Sequence, residues 1–240
     1  MGGDGGWTAS AGAWIESVDT GDPSRELLLD PVVLALCGDV RGLRVLDVGC
    51  GEGRFARKLA ASGAKVVGLD PIPALLARCR ELDPVGGYLL ASGEQMPVAS
   101  DGFDLALAYL TLIDIPDFRA AIREMARALR PGGRLIAANL TGINTSNPEG
   151  WIKGAQGERL HFAVDRYLEE RPNQVAWKGI QVVNWHRPLS AYMQTYLGAG
   201  LELEQYLEPQ PSEHEVLENP GWEDYWRAPY FNVMAWRKPR

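Results

Sequence analysis

The stretch Val45-Leu46-Asp47-Val48-Gly49-Cys50-Gly51-Glu52-Gly53-Arg54-Phe55 constrains this chain more than any other. A short apolar run leads into three alternating glycines, and the residues that follow have helical spacing, with Phe55, Leu59 and Ala60 on one face. Glycines in such a turn let the chain reverse sharply and let its backbone approach a ligand where a Cβ would collide. The helix beyond them presents unpaired N–H groups towards the same place. About twenty residues later a second apolar run, Lys65–Asp70, ends in an acid, and a carboxylate there can accept both hydrogen bonds of a ribose diol.

The rest of the first half continues the alternation. Helical patterns run from about Ala13 and from Ser24 to Leu36, with residues 1–12 expected to be flexible because they are glycine-rich. Strands are expected at Arg44–Val48, Lys65–Asp70, Tyr88–Ala91, Phe103–Tyr109 and Arg134–Leu140. Helices are expected at Arg54–Ser62, Pro73–Leu82 and Phe118–Leu129, the last closed by a turn at Arg130-Pro131-Gly132-Gly133. Strands alternating with helices imply a mostly parallel sheet covered on both faces, with ligands at the carboxyl ends of its strands. The pattern breaks over residues 141–187, which read as an insertion with a hairpin pairing Ala163–Glu170 to Ile180–Trp185. A helix at Leu189–Ala199 and strands at Leu201–Leu207 and Tyr230–Trp236 follow, the strands separated by the acidic, proline-rich stretch Glu208–Pro229.

Composition narrows the partners. A formal net charge of −7 argues against nucleic acid. The strip Arg119, Arg123, Arg127, Arg130 and Arg134 is read as a solvated face, with an anion site as the alternative. Three unpatterned cysteines, Cys37, Cys50 and Cys79, fit a reducing compartment and no metal site. With neither a signal peptide nor an apolar run long enough to cross a membrane, the chain is expected to be cytoplasmic, a monomer or homodimer, with a small molecule as its partner.

The glycine spacing, Gly49-x-Gly51-x-Gly53, differs from the Gly-x-Gly-x-x-Gly of a dinucleotide fold and lacks its second phosphate cradle. Asp47 lies near where an ammonium group would sit. Together with Val66–Pro71, Ser92-Gly93-Glu94-Gln95-Met96-Pro97, Phe103–Tyr109 and Leu129–Arg134, the loop resembles, in order and spacing, the class I S-adenosylmethionine-dependent methyltransferases. The nearest likeness is to the group related to ubiquinone and menaquinone biosynthesis (the type 11 methyltransferase domain), good over roughly residues 30–140 and looser beyond. The resemblance implies an α/β Rossmann-like fold: seven strands, mostly parallel, an antiparallel last strand, helices on both faces and an insertion after the fifth strand. It implies one domain over 1–240, with a cofactor core and N-terminal cap at 13–140, the insertion at 141–187 and a C-terminal part at 188–240.

It also implies roles. Asp47, Gly49, Cys50, Gly51 and Gly53 would surround the methionine part of S-adenosylmethionine, and of its product S-adenosylhomocysteine. Asp70 would bind the ribose hydroxyls, and Pro71 or Ile72 would pack on the adenine. Ser92 stands where the family commonly has Asp, leaving Ser92 or Glu94 as the substitute, with Gly93 and Met96 alongside. Tyr109 would flank the methyl donor as a candidate catalytic residue, and Trp14 would belong to a lid. His186, ahead of a helix starting near Pro188, is the best-placed general base, with a structural histidine as the alternative. Trp151, Trp177 and Trp185 either line an aromatic acceptor pocket or form the insertion's own core. The Asn/Asp-Pro-Pro-aromatic arrangement of some amine methyltransferases is absent after Tyr109. The activity expected is methyl transfer to O or N of a metabolite; an RNA or protein methyltransferase and a non-catalytic binding subunit are the alternatives.

Overall fold

The computed structural model describes residues 4–147 and 149–240. In chain order it contains α1 (Trp7–Asp19), a π-helical turn (Ser24–Leu29) running into α2 (Asp30–Cys37), β1 (Arg44–Val48), α3 (Arg54–Ala61), β2 (Lys65–Asp70), α4 (Pro73–Leu82), β3 (Gly87–Leu90), β4 (Phe103–Tyr109), α5 (Phe118–Ala128) and β5 (Leu129–Leu140). The insertion follows, with α6 (Gly142–Ser146), β6 (Trp151–Lys153), β7 (Arg159–Phe162), β8 (Arg171–Trp177) and β9 (Ile180–His186). The chain closes with α7 (Leu189–Gly198), β10 (Glu202–Leu207), α8 (Glu213–Glu218), α9 (Asp224–Arg227) and β11 (Phe231–Arg237).

Seven strands form the central sheet in the order β10-β11-β5-β4-β1-β2-β3. β1 to β5 pair in parallel, and β11 runs antiparallel to both β5 and β10, as expected for a Rossmann-like α/β sheet with a reversed last strand. Alternation with a period of two gives each face its own core. Leu46, Ala106, Leu135, Met234 and Trp236 pack with α5 and α7, and Val45, Leu105, Leu107, Ile136 and Val233 pack with α2 and α3. On α5, Phe118, Ala121, Ile122 and Met125 fall on the buried stripe, and Asp117 caps the helix by accepting from Ala120 N at 2.9 Å.

Three expectations about local structure are corrected. Arg130-Pro131-Gly132-Gly133 does not end before a strand; it lies inside β5 as an irregularity, with Gly132 at φ 77° donating its N–H to Lys238 O. Ala163–Glu170 is a loop. The hairpin instead pairs β8 with β9 across Lys178-Gly179, both at positive φ as a tight two-residue turn requires, and a second hairpin pairs β6 with β7. Finally, α1 starts at Trp7 and not near Ala13, so residues 4–12 are ordered. Asp4 accepts from Gly6 N and Thr8 N, Val183 N donates to Gly5 O, and Ser10 Oγ bonds both N and O of Gln181. A Cβ on Gly6 would stand 2.6 Å from Gln181 O, so glycine there permits docking on β9. Residues 1–3, part of the segment expected to be flexible, lie outside the described residues.

Candidate active site

A cleft of about 930 Å3 opens at the carboxyl ends of β1, β2 and β4. Strands β1 and β4 are neighbours although β2 and β3 intervene in sequence, so the connections leave on opposite faces and the crevice forms between them. Gly49, Gly51, Asp70, Pro71, Ser92, Gly93, Glu94 and Tyr109 all line it, as does Trp14 from α1.

The loop is shaped by its surroundings. Gly49 has φ 67°, and a Cβ on it would lie 1.9 Å from Thr111 Oγ1, so the segment after β4 presses directly on the loop. Gly51 has φ 59° with its open side towards the Trp14 indole. Asp70 reaches across the strands: Oδ2 accepts from Gly51 N at 3.0 Å and Oδ1 from Ile72 N at 2.9 Å. Trp14 Nε1 donates to Glu52 Oε2 at 2.8 Å, which fastens α1 to the loop.

Other expected contacts do not reach the cleft wall. Gly53 caps α3 at φ 81° beneath the loop, where a Cβ would meet Arg57 and Cys79 at 3.0 Å. Cys50 packs under the loop with Leu76, Cys79 and Tyr88, and burial together with the Cys79 contact pushes its thiol well up. Met96 belongs to the core on the α5 face. His186, expected to be the best-placed general base, is fully buried, with Nδ1 2.9 Å from Thr145 Oγ1 and Nε2 2.9 Å from Tyr167 O. Burial lowers its pKa, so it stands as a structural histidine joining the insertion to α6. Tyr109 offers the cleft its ring and not a free hydroxyl, which donates to Asp30 Oδ1 at 2.7 Å. Asp30 in turn pairs with Arg54 at 2.6 Å and Lys58 at 3.3 Å. Neither residue expected to be catalytic therefore presents a proton-transfer group.

Asp47 also lies beneath the loop, 1% exposed, and its Oδ2 has no hydrogen-bond partner among the described residues. Burial, with Glu52 and Asp70 adding repulsion, pushes its carboxyl up to about 7. Burial likewise raises Asp70 to about 6, against the pull of its two backbone N–H bonds. Three buried acids around one glycine loop are unfavourable until a cation arrives. This chemistry fits a ligand carrying sulfonium and ammonium charges and opposes a pyrophosphate.

The insertion and the 208–229 segment form the far wall, through Asn144, Trp151, Trp177, Trp222 and Tyr225, with Tyr230 just beyond. Of the three insertion tryptophans, Trp151 and Trp177 line the cleft, whereas Trp185 packs under Arg187. Sequence reasoning passed over Thr111, Asp114 and Asn184, all on the wall. Asp114 left a signal, as an acid inside Leu112-Ile113-Asp114-Ile115. The arginine strip on and after α5 is largely neutralised: Arg119 pairs with Glu170, Arg127 with Glu124, Arg130 with Asp104 and Arg134 with Glu204. No helix among the described residues is long and apolar enough to cross a membrane.

Residues 46–137 match the model of a methyltransferase domain. A solved S-adenosylmethionine-dependent methyltransferase from Mesorhizobium loti superposes with a TM-score of 0.80 at 30% identity, over 91% of this chain and 99% of that one. A structure from Listeria monocytogenes gives 0.78 at 26% identity, over 97% and 99%. Malonyl-[acyl-carrier protein] O-methyltransferase from Pseudescherichia vulneris is 32% identical over 152 residues, 62% of this chain and 59% of that protein. The chain covers 40% of the length of the first curated relatives, Mycobacterium proteins 35% identical to it over 111 residues. A glycine loop ringed by buried acids, set in this strand order and shared along nearly the whole length of a solved relative, places the chain in the family of S-adenosylmethionine-dependent methyltransferases.

Proposed function

We propose that the chain transfers a methyl group from S-adenosylmethionine to an oxygen or nitrogen of a small molecule held between the glycine loop and the insertion. The observation that carries this reading is the trio Asp47, Glu52 and Asp70 around the loop, with a cleft continuing past it to an aromatic wall. The cofactor supplies an electrophilic methyl carbon, and the protein's task is positioning and exclusion of water. Asp70 accepts from the ribose hydroxyls while staying anchored to Gly51 N and Ile72 N. Gly49 and Gly51 admit the methionine part against bare backbone, and Asp47 balances its positive charge. Ile72 and Pro71 pack on the adenine, and Ser92 with Glu94, joined at 3.2 Å, stand at its polar edge. The Tyr109 ring, held from behind by Phe55 at 4.8 Å, narrows the passage to the acceptor. Trp14 closes the cleft over Gly51 through its bond to Glu52.

Calorimetry tests the cofactor half. S-adenosylmethionine and S-adenosylhomocysteine bind and NAD does not, and Asp70→Ala weakens both by about tenfold or more, the loss of roughly 1.4 kcal/mol. An unchanged affinity in that variant refutes the ribose assignment. A labelled-donor screen against small metabolites then tests transfer itself.

A further inference from the structure

The loop after β4 is held by the insertion. Arg187, 1% exposed, donates Nη1 to Leu112 O at 2.7 Å, and Nη2 to Ile115 O at 2.6 Å and Pro116 O at 3.0 Å. Its guanidinium lies over Phe118 at 4.3 Å and Trp185 at 5.2 Å, with no ion-pair partner among the described residues. Trp185 N donates to Ile113 O at 2.6 Å, and Asn184 Nδ2 donates to Asp114 Oδ1 at 2.6 Å. Burying a guanidinium without a carboxylate is expensive, yet here three of its bonds go to the backbone of one short loop and a longer one, at 3.4 Å, to the Tyr192 hydroxyl. That loop's polar cargo is Asp114, on the cleft wall. Two acids across the acceptor side are matched, Asp22 with Arg25 at 2.9 Å and Asp224 with both Arg159 and Arg227, and Glu149 adds a further carboxylate to that wall. Among the described residues the Asp114 carboxylate accepts from two neutral donors, the Asn184 amide and the Trp7 indole, while the Arg187 guanidinium acts on it through space.

We propose that Asp114, positioned by Asn184 and Arg187, receives the acceptor's proton, and that the acceptor is consequently an amine or hydroxyl compound and not a carboxylate. This rests on the methyl-transfer reading above and deepens it. A bound ammonium first gives one proton to Asp114, and the lone pair so freed bonds to the methyl carbon as the carbon–sulfur bond breaks towards sulfur; a hydroxyl oxygen attacks with a lone pair it already holds. The N–H or O–H electron pair stays on the acceptor while the proton passes to Asp114 and then to solvent. A carboxylate acceptor has no proton to give and needs no such base. It would also face Asp114 with both cleft arginines already paired, unlike an ammonium, which Asp114 attracts.

Burial pushes the Asp114 carboxyl up to about 8. Asp70 across the cleft adds to the rise, while Trp7, Asn184 and Arg187 oppose it. The carboxylate form therefore prevails above about pH 8, where attraction for an ammonium and capacity to take a proton both appear.

The test uses 2-phenylethylamine and phenylacetate, matched in size and opposite in charge, titrated into the full chain with and without S-adenosylhomocysteine. At pH 8.5 the amine is expected to bind about tenfold tighter, with its affinity rising through pH 8. In Asp114→Asn the preference should fall to about twofold and the pH dependence disappear; Arg187→Lys should reduce both while leaving S-adenosylhomocysteine affinity within about threefold. Phenylacetate binding as tightly as the amine, or a pH-dependent preference surviving in Asp114→Asn, would overturn the proposal. Failure of S-adenosylhomocysteine to bind the parent chain defeats the functional reading instead, and the amine preference is still read from the titrations without it.

Discussion

The two walls of the cleft are made differently. On the side of β1 and β2 the cleft surface is backbone: Gly49 and Gly51 at positive φ, and a carboxylate, Asp70, tied to Gly51 N and Ile72 N. Opposite, it is side chains from distant segments, Trp151 from the insertion and Trp222, Tyr225 and Tyr230 from the last connection. The last three rings follow one another edge to face, Trp222 to Tyr225 at 5.7 Å and Tyr225 to Tyr230 at 5.6 Å. A backbone surface tolerates little change, because a Cβ at Gly49 collides with Thr111 and one at Gly51 is strained by its positive φ. A wall of rings can be trimmed one ring at a time, which suits a scaffold that keeps one cofactor and varies its acceptor.

That contrast can be broken by experiment. Gly49→Ala should have the largest effect, since its Cβ would meet Thr111 Oγ1 at 1.9 Å in a left-handed conformation. Stability should fall by about 3 kcal/mol and S-adenosylhomocysteine binding drop below detection, followed by denaturant unfolding and calorimetry. Near-normal binding would show that the loop is not backbone-limited.

Asp47→Asn should come second. The folded-state carboxyl is raised to about 7 from 3.8, so the folded chain retains a proton that the unfolded chain has lost. The parent therefore loses stability as pH rises from about 4 to about 7 and levels off above, whereas the variant lacks that loss. Unfolding by urea at pH 5 and pH 8 should separate the two by about 2 kcal/mol. Parallel pH profiles would mean that Asp47 does not carry the strain assigned to it.

Trp151→Ala should be the mildest towards the cofactor, leaving S-adenosylhomocysteine affinity within about twofold while changing which acceptors turn over in the labelled-donor screen. A tenfold loss of cofactor affinity there would erase the distinction between the walls.

Legibility followed the same division. The strands of the sheet, the glycine loop and Asp70 were readable because each depends on neighbours in sequence: alternation for a strand, small residues for a turn, an acid at a strand end. Gly53 shows the limit, since its spacing matches Gly49 and Gly51 but its positive φ serves the start of α3. His186 shows another, because a histidine before a helix looks accessible until Thr145 and Tyr167 close on both ring nitrogens. The glycine-rich start looked flexible by composition, and only the approach of β9 to Gly5, Gly6 and Ser10 orders it.

What the chain determined locally is a sheet of parallel strands with one glycine loop at its carboxyl end, because hydrophobic period and glycine spacing act over a few residues. Tertiary structure alone decided that Asp47 is left with an unmatched oxygen, that Arg187 grips the loop carrying Asp114, and that segments near residues 151 and 225 share one wall. Those outcomes depend on burial and on contacts between residues far apart in sequence, up to 75 residues in the case of Arg187 and Leu112, and no local pattern encodes them.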